Sequence, residues 1–302
     1  MCNLVNIIII LSSNFTELCS WSFEREISPV DDTRKSLKAN RVACRRTGGQ
    51  LLVSDWLDNV YTLNGDGVYR SSLLMSDDKH ARPLGRVEGL AVTRDYTFVV
   101  DATKYVKVFD AHNDKYVDSF SSFTDEENPN MHADLRCLTT NRNGKVLVGD
   151  CYRKVITTHT YPTGQVESKV QYNMTHTGRI CVNSKNDILC HYRPDESALS
   201  KVAVINATTG DEILSFEPKI DEDIQGKKVR PRGIVCDTND NIYIAMCVSG
   251  TNKTGHVHKY SKTGAFLRCI AKGLFLPMDL EITPDGSIIV ANKRSLVVHS
   301  LL

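Results

Sequence analysis

Six residues of this 302-residue chain stand at one recurring position, each thirteen or fourteen places before the end of a short apolar run. They are Arg41, Glu88, Arg136, Arg179, Arg232 and Met278, so four of the six are arginine. A guanidinium is planar, permanently charged and carries a fork of N–H donors, and it grips carboxylates and phosphates through paired hydrogen bonds. Four of them converging would make a local positive field in a chain whose net charge is only +1. Further cations and rings follow the ends of the same runs: Trp56, Lys104, Tyr152, Arg153, Lys154, Tyr192, Arg193, Lys293 and Arg294. Arginine interleaved with aromatics suits single-stranded RNA, whose bases stack and whose phosphates need cations. It suits an acidic peptide as well. An internal use competes with both: the arginines would pair with Asp55, Asp101 and Asp150 and staple neighbouring elements together.

The elements that must position these residues follow from a repeat. A polar turn leading into an apolar strand recurs six times, ending at Asp55, Asp101, Asp150, Tyr192, Met246 and Asn292, with spacings of 46, 49, 42, 54 and 46 residues. That period fits four-stranded propeller blades and is too long for leucine-rich repeats; no sustained 3.6-residue apolar period supports a helical array. Fourth strands are expected at Lys115–Phe120, Glu212–Phe216 and Ala265–Ile270, each after a turn rich in Gly, Asn or Asp. The sixth repeat lacks one strand, and the alternating segment Trp21–Ile27 is expected to supply it and close the ring. The expectation is an all-β, six-bladed propeller of four-stranded antiparallel blades over residues 19–302, preceded by a segment 1–18 of unassigned structure. In such a ring the loop into each innermost strand and the loop after each second strand open on one face. The recurring arginines would therefore gather at the channel mouth.

Composition narrows the chemistry. With 41% hydrophobic and 24% charged residues, the chain is neither disordered nor uniformly basic, and DNA binding is not expected. Its ten cysteines form no C-x-x-C pair and no zinc spacing; Cys44, Cys137, Cys181 and Cys236 lie in apolar runs that suit reduced core thiols and a cytoplasmic setting. The apolar run Ile7–Leu11 is too short to span a membrane and lacks a basic flank, and the sequons at Asn14, Asn173, Asn206 and Asn252 are about as many as chance gives. Histidines occupy no shared register. A metal-dependent propeller hydrolase or lyase would need carboxylates, Asn or His at the channel positions, where Glu88 is the lone carboxylate. No nucleophile elbow, phosphate loop or zinc-protease motif is present. No catalysis and no cofactor are expected.

The blades resemble those of the NHL-repeat family. Pro231-Arg-Gly-Ile-Val-Cys-Asp237 followed by Asn241-Ile-Tyr-Ile-Ala245 reads like a family blade. Asp55–Val60, Asp101–Val106 and Asp150–Val155 resemble its second turn, and Ile288–Asn292 onward resembles a last blade. The likeness is nearest to the C-terminal propellers of tripartite-motif proteins, which implies engagement of protein partners or RNA within a ubiquitin-ligase system. The chain departs from the pattern at Tyr192, Met246 and Asn292, where the family has Asp, and keeps the opening proline only at Pro231 and Pro277. The zinc-binding RING and B-box patterns do not occur in this sequence, so ligase chemistry is not expected of it. A protein partner bound on the face around the channel is the first expectation, acting as a substrate receptor; single-stranded RNA on the same face is the second.

Overall fold

The computed structural model describes residues 23–27, 38–45, 49–56, 59–75, 84–101, 103–123, 132–172, 179–192, 200–220, 229–248, 254–293 and 295–299. The sequence expectations for segment 1–18, Arg193, Arg294 and the strand start at Trp21 lie outside these residues.

Blade 1 is built from β2 (Arg41–Cys44), β3 (Leu51–Ser54), β4 (Val60–Leu63) and β5 (Tyr69–Ser72). Blade 2 holds β6 (Gly89–Val92), β7 (Tyr96–Val100), β8 (Tyr105–Asp110) and β9 (Tyr116–Ser121), and blade 3 holds β10 (Leu135–Thr140), β11 (Val146–Asp150), β12 (Val155–Thr160) and β13 (Gln165–Gln171). Blade 4 comprises β14 (Ile180–Val182), β15 (Ile188–Tyr192), β16 (Lys201–Ile205) and β17 (Glu212–Phe216). Blade 5 comprises β18 (Val229–Cys236), β19 (Ile242–Val248), β20 (Thr254–Tyr260) and β21 (Phe266–Phe275). In blade 6, β22 (Pro277–Ile282), β23 (Ile288–Asn292) and β24 (Leu296–His299) are completed by β1 (Phe23–Ile27), which pairs antiparallel with β24 as the outermost strand. The innermost strands touch in the order β2, β6, β10, β14, β18, β22 and back to β2, which closes the ring.

Burial follows from position. The second strand of a blade is covered on both faces, and β19 is buried along its whole length, whereas the outer strand β13 alternates exposed and covered residues with the period of two that a half-wet strand dictates. The core is divided into six clusters, one between each pair of neighbouring blades. Phe98, Val106 and Val108 of blade 2, for example, pack against Leu135, Leu138 and Val148 of blade 3. Truncating a fully covered ring such as Phe98 to alanine costs about 3–5 kcal/mol in such a core.

The turns between first and second strands lie on the far face. In blades 3 to 6 they take a left-handed residue at one place, which is Gly144 in blade 3 (φ 77), Asn186 in blade 4 (φ 65), Asp240 in blade 5 (φ 63) and Gly286 in blade 6 (φ 85). Asn141 Oδ1 supports this turn in blade 3 by accepting from the backbone N–H of Asn143 and Lys145.

Three innermost strands carry a bulge. In blade 3, Leu135 pairs with Asp150 and Cys137 with Gly149, which leaves Arg136 as the extra residue. In blade 6, Pro277 pairs with Asn292 and Asp279 with Ala291, which leaves Met278. The shift in blade 5 falls between Pro231 and Ile234 and includes Arg232. A bulge twists the strand locally and re-aims its side chains, and here all three stand at the same rim of the channel. Among the described residues no helix is long and apolar enough to cross a membrane.

Candidate functional site

The six recurring positions reach one rim but do not form a flat ring. Arg41 pairs with Ser54, the residue before the anchor Asp55, and Ile180 pairs with Cys190, which sets Arg179 opposite His191, the residue before Tyr192. Glu88, whose N–H donates to Val100 O, and the bulge residues Arg136 and Met278 lie one step nearer the mouth. The strand layer therefore runs around the blades as Arg41, Gly89, Cys137, Arg179, Gly233 and Asp279. Asp279 is the residue that counting back from the anchors overlooks. Glu88 is not the lone carboxylate of the channel: the bulge at Met278 buries that side chain and turns its neighbour Asp279 inward.

Arg179 crosses the channel. From blade 4 its Nη1 donates to the Glu88 carbonyl of blade 2 at 3.2 Å, and its Nη2 is ion-paired with Asp279 Oδ2 of blade 6. Neither of those blades is a neighbour of blade 4. The same Asp279 oxygen accepts the N–H of Val42 in blade 1 at 3.0 Å. Arg41, also buried, gives Nη2 to Glu88 Oε2 at 3.1 Å. Burial, with the charge of the adjacent Arg179, draws Arg41 down to about 9 against the pull of Asp279 and Glu88.

Nearer the mouth the cluster opens to solvent. Glu88 Oε1 accepts from Arg136 Nη1 at 3.1 Å and faces Arg86 Nε at 3.2 Å, while Arg136 Nε pairs with Asp134 at 2.7 Å. Burial lowers the proton affinity of Arg136, but the hydrogen bond and charge of Asp134, with Glu88, outweigh it and the net shift is upward. The Arg86 and Arg136 side chains are 53% and 40% exposed. Four cations, Arg41, Arg86, Arg136 and Arg179, meet three carboxylates, Glu88, Asp134 and Asp279, so four minus three leaves one positive charge in excess.

The surrounding loops divide by role. The Trp56 ring lies beside this cluster, with Arg86 Cζ 5.2 Å and Lys293 Nζ 5.7 Å from its centroid. Tyr152 is exposed and meets His132 edge-on at 4.7 Å, and Lys154 is exposed with a left-handed φ of 56°. Lys104 Nζ lies 5.6 Å from the Tyr105 ring. Arg153 faces inward: its Nε donates to Asp150 at 2.6 Å, its Nη2 to Ser122 Oγ at 2.7 Å, and its guanidinium covers Phe123 at 4.1 Å. Tyr192 packs edge-on to Tyr172 at 5.3 Å and donates its hydroxyl to Glu212. Arg232 is half-buried, and its carbonyl accepts from His191 Nε2 at 2.9 Å.

The anchor aspartates serve the backbone. Asp101 accepts from Gly85 N at 2.7 Å and Asp150 from Asp134 N at 3.1 Å, which ties each incoming loop to the turn after the second strand; Asp55 accepts from Asn59 N at 3.0 Å. The channel arginines pair instead with Glu88, Asp134 and Asp279. Arg86 and Asp134 were both within reach of sequence reading, since each stands two residues before Glu88 or Arg136 with opposite charge. The acidic stretches Thr124–Glu127 and Asp221–Asp223 and the pair Lys227 and Lys228 lie outside the described residues. Among the described residues no group of three His, Cys, Asp or Glu side chains could hold a metal ion.

The chain is thus a six-bladed β-propeller with a charged plug in its channel. Solved structures resemble this fold at low identity. The β-propeller domain of Cps50 (Swd1) from Myceliophteria thermophila is 10% identical over 93% of this chain and 100% of that one, with a TM-score of 0.59. The Kuenenia stuttgartiensis hydrazine synthase is 12% identical over 85% of this chain and 74% of that one, TM-score 0.60, and a protein of unknown function from Bacteroides caccae is 14% identical over 80% and 82%, TM-score 0.59. No family model matches the chain. No curated protein matches it either. The NHL-repeat likeness accordingly remains a resemblance of blade pattern.

Proposed function

We propose that this propeller is a non-catalytic recognition domain whose channel-mouth face binds an acidic segment of a protein partner. The observation that carries the reading is the pair Arg86 and Arg136, both held on the same Glu88 oxygen and both open to solvent, with Arg41 and Arg179 buried behind them. Carboxylates of a partner gain charge-assisted hydrogen bonds from guanidiniums whose positions are already fixed, so little side-chain entropy is lost on binding. Trp56, Tyr152 and Lys293 supply the apolar and cationic rim that an interface centre needs. Cations crowding the channel support binding rather than a metal-centred reaction. The resemblance to tripartite-motif propellers supports a role as substrate receptor in a ubiquitin-ligase system, and the unbridged cysteines of the inner strands support a reducing, cytoplasmic setting.

The test is fluorescence anisotropy with a labelled peptide pool rich in Asp and Glu, run beside a randomised single-stranded RNA pool over a range of salt. Peptide binding that falls by about tenfold or more in Arg86→Glu/Arg136→Glu supports the reading. RNA binding with a log–log salt slope near 0.7 per phosphate, in the absence of peptide binding, replaces it with RNA recognition.

A further inference from the structure

Resting on the reading above, we infer that the acidic group this face takes is a phosphomonoester dianion on the partner, clamped between Arg86 and Arg136 beside Trp56. Glu88 fixes the clamp. Arg86 reaches Glu88 Oε1 through Nε, and Arg136 reaches the same oxygen through Nη1 while its Nε is held by Asp134. Each guanidinium is therefore anchored from behind. Both terminal nitrogens of Arg86 and the Nη2 of Arg136 remain as donors, on side chains that are 53% and 40% exposed. Trp56 restrains Arg86 from the side, with the guanidinium carbon 5.2 Å from the ring centroid, and brings Lys293 to the same ring at 5.7 Å.

Charge selects the ligand. The cluster already contains the carboxylates Glu88, Asp134 and Asp279 and still has one cation in excess, which Lys293 raises further. A single carboxylate adds one negative charge and two acceptor oxygens. A phosphomonoester brings about −1.5 to −2 charge at neutral pH and three acceptor oxygens, which matches the three terminal nitrogens that Glu88 and Asp134 leave over on the two guanidiniums. The phosphodiester of an RNA backbone carries one charge and offers only two free oxygens. Behind the clamp, Arg41 and Arg179 take up Glu88 Oε2 and Asp279 through their terminal nitrogens while their buried Nε atoms have no hydrogen-bond partner, so the interior carboxylates are already engaged by cations.

The experiment compares three labelled peptide pools of one composition, carrying phosphoserine and phosphothreonine, glutamate, or unmodified serine and threonine at a fixed place. Binding is measured to the wild-type chain, to Arg86→Lys/Arg136→Lys and to Arg86→Glu/Arg136→Glu, each checked for fold by circular dichroism. The phosphorylated pool is expected to bind about tenfold or more tightly than the glutamate pool. The lysine variant, which keeps charge and loses the forks, is expected to bring that ratio near one while still binding the glutamate pool. Equal binding of the phosphorylated and glutamate pools by the wild type overturns the phosphate inference and leaves acidic-peptide recognition standing. Binding of no peptide pool overturns both. Saturable binding of inorganic phosphate alone, without any gain from the peptide, assigns the clamp to free phosphate and overturns the partner assignment.

Discussion

Arg179 is the residue on which the channel depends. It joins blade 4 to blades 2 and 6 through the Glu88 carbonyl and Asp279, and removing it strands a carboxylate that is only 4% exposed. Arg179→Met is expected to lower the unfolding free energy by about 3–5 kcal/mol, and adding Asp279→Asn to recover a good part of that loss, as a denaturant-based double-mutant cycle would show. His191 sets a pH dependence. Burial, opposed by its hydrogen bond to the Arg232 carbonyl and joined by the charges of Arg232, Arg179 and Arg41, lowers it from 6.5 to about 4. The unfolded chain takes up the proton near 6.5 and the folded chain only near 4. Stability is therefore fully present above the unfolded value and falls as pH drops through that window, by roughly 3 kcal/mol for this residue when complete. Buried His299, lowered to about 4, adds a loss of the same sign. Melting temperatures measured between pH 7 and pH 4.5 should fall more gently in His191→Gln, which keeps a donor toward Arg232; an unchanged profile would show that folding does not lower the proton affinity of His191.

At the scale of the element, the strands were legible because the second strands are built on short apolar runs that follow a polar turn, and β13 alternates as an outer strand should. Expected strands at Glu212–Phe216 and Lys115–Phe120 match β17 and β9 to within a residue, and the expected closing strand falls on β1. The bulges were not legible. A single inserted residue leaves composition and periodicity almost unchanged, yet it moves Asp279 into the channel and places Met278 under cover. Most of the fold could thus be read from patterning, whereas the partners of the arginines depend on register one residue at a time. Close approach of the innermost strands is a second feature hidden from patterning. A Cβ on Gly233 would lie 2.7 Å from the backbone N of Leu280 in the next blade, where no side chain can swing away. Gly233→Ala is expected to cost about 1–3 kcal/mol by forcing blades 5 and 6 apart, and chemical denaturation checks it.

The whole molecule is a ring whose two ends are joined in one sheet. Ile27 of β1 is buried in the cluster shared by blades 6 and 1, with Leu51, Tyr61, Leu296 and Val298. Ile27→Ala is expected to cost about 2–5 kcal/mol and to speed amide exchange in β24 before any other strand, because it loosens the seam that closes the ring. A closed ring also fixes the relative placement of blades, so that loops of blades 1, 2 and 6 and the bulge of blade 3 present Trp56, Arg86, Lys293 and Arg136 together. That shared face is the central claim, and reversing charge on each face in turn tests it most directly. Affinity for the acidic peptide pool should drop about tenfold or more in Arg86→Glu/Arg136→Glu and stay within about twofold of wild type in Lys185→Glu, whose exposed side chain lies in the far-face turn of blade 4. Equal losses from both, or a loss from Lys185→Glu alone, would contradict the account.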